Sequence, residues 1–345
     1  MATLTGAVQL AFLEGYTPDT SVTGSEIYTI GGTGSGAGKY QVINNDSGSY
    51  VTIQDGVSRV ILNDNNGAAI IIGDNSVHVS TLEAFGNKVI AGNGNNVMAL
   101  GGGSNAIRVG NGNNLIETEW GNDTITAGSG NDTITMGWGN DVVRAGNGNN
   151  LIYDGGGDDT IYAGSGSDTI FAGDGSDYVN AGDGNNYIDA GGRGNDTLVS
   201  GSGSDKIIGG YGDDSISSGA GNDTIAGGWG NNILNGGAGN DTIVAGSGID
   251  KIIKGTVSTE SDWVTEFDAG TSSTGVDKII ATPATGRTML EETTNTTDNG
   301  QWTANSDYKV VASGNDSIII FPDGSRITLV GVAPDLIDPT DFATS

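Results

Sequence analysis

The sequence predicts an all-β fold, a solenoid of very short strands, from three observations. Residues 91–253 repeat eighteen times at a nine-residue period, glycine recurs in the first four positions of the unit, and the eighth position is aliphatic every time. Residues 127–135 read AGSGNDTIT, residues 163–171 AGSGSDTIF and residues 236–244 GGAGNDTIV, so the unit is [G/A]-G-x-G-x-[D/N]-x-U-x with U aliphatic. A fixed short period of this kind marks a stack of small units that bury one continuous core between them.

Each position has a physical reason. The early glycines let the backbone turn through conformations that a side chain forbids, and they leave carbonyl oxygens unshielded. Position six then supplies a hard oxygen suited to calcium, which takes six to eight oxygen ligands in tolerant geometry. Positions seven to nine form a three-residue strand whose middle side chain points inward, as the two-residue alternation of a strand requires. Met98, Ile107, Ile161, Val179, Leu198 and Ile252 are examples of that inward position.

Composition narrows the partners. With 42 acidic residues against 13 basic ones the formal net charge is -29, which disfavours nucleic acid and anionic membrane surfaces and favours cations. There is no cysteine, hence no disulfide framework, and no Cys and His spacing of a zinc site. Residues 1–16 carry no Lys or Arg before their apolar run, so no Sec signal peptide is expected there. No stretch approaches the roughly 18 uninterrupted apolar residues of a membrane span. The 62 glycines sit at fixed positions of a period, which argues for order and against a flexible linker.

Four segments follow. Residues 1–50, mixed in character, are expected to be a cap or an assembly segment. Stepping back in nines from Met98 lands on Val89, Ser80 beside Val79, Ile71, Leu62 and Ile53, so residues 51–90 read as a calcium-poor start of the same solenoid. Residues 91–253 are the repeats. In residues 254–345 the glycine period gives way to alternating strands with a turn at Pro322-Asp323-Gly324, which predicts a small β domain and a short, weakly structured acidic tail from Asp335.

The repeats resemble the RTX family of calcium-binding nonapeptide proteins, and FPDGSRITLVGV followed by DLIDPTDF resembles that family's C-terminal export region. The resemblance implies a right-handed parallel β-roll with two repeats per coil, and export through a type I system by an uncleaved C-terminal signal. It also implies calcium between turns two repeats apart, bound by turn carbonyls and position-six carboxylates. Those carboxylates are Asp123, Asp132, Asp141, Asp159, Asp168, Asp177, Asp196, Asp205, Asp214, Asp223, Asp241 and Asp250. Asn96, Asn105, Asn114, Asn150, Asn186 and Asn232 stand in the same place, neutral, so weaker or empty sites are expected there. One edge would carry Asp123, Asp141, Asp159, Asp177, Asp196 and Asp214 unbroken, and should hold calcium more tightly than the edge interrupted by Asn150 and Asn186. The ten-residue unit at residues 190–199 is expected to bulge outward at Arg193.

No catalytic constellation emerges. His78 is the one histidine and lies outside any HExxH, and the paired acids Asp158-Asp159 and Asp213-Asp214 recur with the period. The chain is therefore expected not to be an enzyme. Trp120, Trp138, Tyr211 and Trp229 all occupy the third, turn-tip position in even-numbered units, where they either shield their own glycine turns or form a contact surface with Trp120 beside Trp138 and Tyr211 beside Trp229. Tyr153, Tyr162, Phe171, Tyr178 and Tyr187, at outward strand positions, are a second candidate patch. The expected function is that of a secreted, calcium-dependent structural protein, self-associating at the cell surface as a surface-layer, matrix or fibre subunit. A secreted effector or adhesin is the alternative. An ice-binding role is disfavoured because the Thr-x-Thr of residues 124–126 and 133–135 does not continue along the strands.

Overall fold

In a computed structural model, residues 86–253 are described without interruption. The strand segments 39–44, 50–53, 57–63, 69–72 and 78–81 precede them, and residues 261–267, 277–280, 309–321, 324–337 and 342–343 follow. The chain forms two compact units, residues 1–164 and 165–345. Both are parallel β-rolls, and no α-helix occurs among the described residues.

In the first unit alternate strands go to alternate sheets. Val97–Ala99, Leu115–Glu117, Thr133–Thr135 and Leu151–Tyr153 lie side by side in one sheet, and Lys88–Ala91, Ala106–Arg108, Thr124–Thr126, Val142–Arg144 and Thr160–Tyr162 in the other. Ile116 pairs with Ile134 and Ile134 with Ile152, so a coil is eighteen residues and equivalent side chains stack in file. Three-residue strands suffice because each needs to send only one side chain inward. Ile107, Ile116, Ile125, Ile134, Val143, Ile152 and Ile161 are buried, and small residues such as Ala127, Ala145 and Ala163 fill the core beside them.

The roll extends back to Lys39–Asn44 and Tyr50–Ile53, so part of the segment expected as a cap is already strand. Its register there corrects the expectation drawn from stepping in nines. Val79 pairs with Met98, Ile70 with Val89, Val60 with Val79 and Val51 with Ile70, which makes these coils nineteen residues long and places Val79 and Ile70, not Ser80 and Ile71, in line. Residues 1–38 lie outside the described residues.

The second unit repeats the plan. Lys206–Tyr211 pairs with Thr224–Trp229, and Ser215–Ser217 with Ile233–Asn235. The described strands of its C-terminal part, expected as a small β domain, continue the roll instead. Ser261–Thr265 and Arg326–Leu329 join one sheet and Lys278–Ile280 joins the other, all parallel. Among the described residues, only Lys309–Ser313 and Asp316–Ile320 run antiparallel, at the edge of the sheet that holds Arg326–Leu329. The tail also departs from expectation. Phe342–Ala343 pairs with Ile279 and Ile280, and Ile337 is buried. Alternating hydrophobicity signals strands equally well in a solenoid and in a separate sheet, which is why the sequence did not distinguish them.

Candidate metal centre

The turns stack backbone against backbone. Gly130 has φ 140°, and a Cβ there would lie 2.2 Å from the Gly112 carbonyl oxygen of the preceding coil. Gly221, φ 143°, is held likewise, 1.7 Å from the Gly203 oxygen. Only glycine combines that conformation with that approach.

Position six is buried in all eighteen units. Its Oδ1 accepts the backbone N–H of the position-six residue one coil earlier: Asp141 Oδ1 from Asp123 at 2.6 Å, Asp159 Oδ1 from Asp141 at 2.6 Å, Asp132 Oδ1 from Asn114 at 2.8 Å. In the second unit the file runs from Asp177 to Asp196, Asp214, Asn232 and Asp250, and from Asn186 to Asp205, Asp223 and Asp241. Asp168 N–H donates to Asn186 Oδ1. Oδ2 is then left facing inward. In Asp132, Asp141, Asp214 and Asp250 it is buried and accepts no hydrogen bond. Buried polar atoms without partners are few in folded proteins, and a periodic file of anionic ones calls for a cation.

Protonation records the same stress. Burial, only partly offset by the Asp123 N–H, pushes the Asp141 carboxyl up to about 7, with the charges of Asp123 and Asp159 adding to it. Burial likewise raises Asp214 to about 7, with Asp196 and Asp213 adding, and raises Asp196 and Asp250 to about 6.

The asparagine turns, expected to be weaker or empty sites, are closed by their own amides. Because Oδ1 accepts the backbone N–H, the amide nitrogen must take the inward place. Asn114 Nδ2 donates to the carbonyl oxygens of Gly110 (3.3 Å) and Gly112 (2.9 Å) and to Asp132 Oδ1 (2.7 Å). Asn105 donates to Gly101, Gly103 and Asp123, and Asn96 to Gly92, Gly94 and Asn114. Asn150 and Asn186 also close on the carbonyls of their own glycine turns, and Asn232 on that of Gly230. Each amide thus occupies a cradle of oxygens. In an aspartate turn the corresponding atom is Oδ2, an acceptor among acceptors. An all-oxygen set that includes a carboxylate suits a hard divalent cation, and calcium fits it.

All twelve predicted aspartates therefore fall into buried files along the turns. Reasoning on the period missed three further members. Asn105 Oδ1 accepts the Asn87 N–H, Asp262 Oδ1 accepts that of Asp241 at 3.0 Å, and Asp277 Oδ1 that of Asp250 at 2.7 Å. A signal was present, since DKII occurs at residues 250–253 and again at residues 277–280.

Arg193 is exposed, but it holds the regular turn-tip place, bridged to Tyr211 and donating its N–H to Asp174 Oδ1. The extra residue is taken up at Gly191, φ 77°, where a Cβ would meet nothing closer than 3.8 Å. The turn-tip aromatics differ among themselves. Tyr211 and Trp229 stack with ring centroids 6.0 Å apart and planes at 23°, and they are 56 % and 61 % exposed. Trp120 instead lies over Gly102, where any Cβ would strike its indole, and Trp138 is 72 % exposed. Tyr153 and Tyr162 lie on different sheets, while Phe171 and Tyr187 meet on one sheet at 5.7 Å.

These features define a class: a β-roll whose turns present buried carboxylates and glycine carbonyls to divalent cations. Residues 100–134, 136–170, 162–198, 190–225 and 217–252 match the family described as the RTX calcium-binding nonapeptide repeat, and the repeat region of this chain is an RTX β-roll. A search of curated proteins found no match. No helix among the described residues is long and apolar enough to cross a membrane.

Proposed function

We propose that the chain is a secreted, non-enzymatic structural protein whose folding is switched on by extracellular calcium. The observation that carries this reading is the file of buried aspartates with inward Oδ2 atoms that accept no hydrogen bond, as at Asp132, Asp141, Asp214 and Asp250. Calcium bound there supplies the positive charge that the carboxylates lack, and because it binds the folded form it stabilises that form by mass action. The turns Asp123, Asp132, Asp141, Asp159, Asp168, Asp177, Asp196, Asp205, Asp214, Asp223, Asp241 and Asp250 would hold it, with the glycine carbonyls, while the asparagine turns close themselves. At the low calcium of the cytosol such a chain stays unfolded, which suits passage through a type I channel.

The finer role is a surface-layer, matrix or fibre subunit that associates with its own kind. It is supported by the large exposed aromatics repeated at turn tips, above all the Tyr211–Trp229 stack, since rigid aromatics anchor interfaces. Circular dichroism during a calcium titration from chelator to millimolar levels is the test of the switch, and electron microscopy of the same samples is the test of the role. Cooperative gain of β structure with ordered assemblies is expected. An unchanged folded spectrum after exhaustive chelation overturns the switch. Monomers at high calcium and high concentration, with conductance on addition to lipid bilayers, would favour the effector alternative.

A further inference from the structure

Position one of the repeat points into the roll, directly at the carboxylate five residues on. A Cβ built at Gly209 would lie 2.5 Å from Asp214 Oδ2, and one at Gly236 would lie 2.3 Å from Asp241 Oδ2. Most units accordingly keep this position small, as at Ala127, Ala145 and Ala163, all buried. Leu100, Val109, Thr118 and Met136 are larger, but of the eighteen units only that of residues 154–162 puts an ionisable group there, Asp154. Its Oδ1 accepts the Gly155 N–H at 2.8 Å, and its carboxylate lies with those of Asp141 and Asp159 in a cluster whose ligand atoms are all within 4.8 Å of one another. A second observation is independent of that clustering. Asp141 is 1 % exposed, and its Oδ2 accepts no hydrogen bond.

We propose that Asp141, Asp154 and Asp159 form a three-carboxylate cation site particular to this chain, the tightest calcium site of its roll. The proposal rests on calcium being the ligand of the aspartate turns. An ordinary pair of turns offers two position-six carboxylates from successive coils, whereas this one adds a third from the half-buried position one, whose Oδ2 is itself buried. Calcium affinity rises with the number of charged oxygen ligands. Three carboxylates this close repel one another in the absence of a cation, so Asp154 opposes folding until calcium arrives and then favours it. The site fills first and sets the calcium level at which folding begins.

Isothermal titration calorimetry of the full chain with calcium alone, alongside urea unfolding in chelator, separates the possibilities. Wild type should show one class of site about tenfold or more tighter than the rest. Asp154→Ala, which restores the residue of the neighbouring units, should lose that class, keep the others, and be more stable than wild type in chelator. Asp154→Asn should also lose it. If Asp154→Ala leaves the isotherm unchanged, the third carboxylate is not a ligand and the proposal falls. If Asp154→Asn keeps the tight class while Asp154→Ala loses it, Asp154 acts as a protonated hydrogen-bond donor, which overturns the proposal equally. A wild type that binds no calcium would instead overturn the reading on which the proposal rests.

Discussion

Residues 91–117 and residues 118–144 are built from the same nonapeptide, yet their turns close by different means. In the first stretch position six is Asn96, Asn105 and Asn114, and each amide hydrogen-bonds the two glycine carbonyls of its own turn. In the second it is Asp123, Asp132 and Asp141, whose Oδ1 atoms repeat the asparagine pattern. The Oδ2 atoms of Asp132 and Asp141 have no donor. One N–H2 group thus does from within what a cation must do from without. The exchange of a single atom type converts a self-sufficient turn into one with an unpartnered buried acceptor, which on the function proposed above makes it depend on metal. A roll that mixes both kinds has coils of unequal stability, as expected where each repeat contacts only its neighbours.

Acid should erase the difference, and this is the largest effect expected after chelation itself. Folded and metal-free, Asp141 and Asp214 hold their protons up to about pH 7 and Asp196 and Asp250 up to about 6, against an ordinary value of 3.8. The folded state therefore binds more protons than the unfolded one between those limits, so stability is full below 3.8 and is lost as pH rises towards 7. In chelator, circular dichroism should show β structure growing as pH falls from 7 to about 4, where a protonated aspartate resembles asparagine in carrying a donor. A metal-free chain that loses structure over that range would contradict the account.

Exchanging the two residue types should move stability in opposite directions by smaller amounts. Asn114→Asp removes three donated hydrogen bonds and buries a charge, and should cost roughly 2–4 kcal/mol in urea unfolding in chelator. Asp214→Asn should gain on the order of 1 kcal/mol under the same conditions, and should lose part of the calcium response. Smallest of all is Trp138→Ser. At 72 % exposure its removal should change monomer stability by less than about 0.5 kcal/mol, while any assembly that uses the turn tips weakens.

Much of this was legible in the sequence because the repeat encodes it directly. The inward aliphatics follow from period and residue type, and the two-repeat coil with its two sheets is what the family resemblance implies; the burial of position six follows from neither. Other features depend on information that a period does not carry. The nineteen-residue coils before Val89 arise where ordinary loops replace the glycine turns, so counting in nines drifts by one. That the Asn114 turn is weak or empty follows from its neutral side chain, but that its amide closes the turn depends on which atom meets the neighbouring N–H, and this the period does not carry. Asp154 passed unnoticed because position one reads as a spacer until its inward direction is seen. Asp262 and Asp277 were hidden by the end of the glycine pattern, although DKII repeats there. The turn-tip place of Trp120 is set by the period, but its fold over Gly102 is set by how successive turns stack.

Hydrogen exchange of the full chain, read peptide by peptide with and without calcium, tests the central claim most directly, because protection reports local opening free energy. In chelator at neutral pH the strands Val97–Ala99, Ala106–Arg108 and Leu115–Glu117, next to the asparagine turns, should keep measurable protection, while Thr197–Val199, Ser215–Ser217, Thr224–Trp229 and Thr242–Val244 lose theirs. Millimolar calcium should raise protection in the second group by orders of magnitude and in the first far less. Equal loss and equal recovery in both groups would show that the asparagine amides do not stand in for the cation, and would contradict the account.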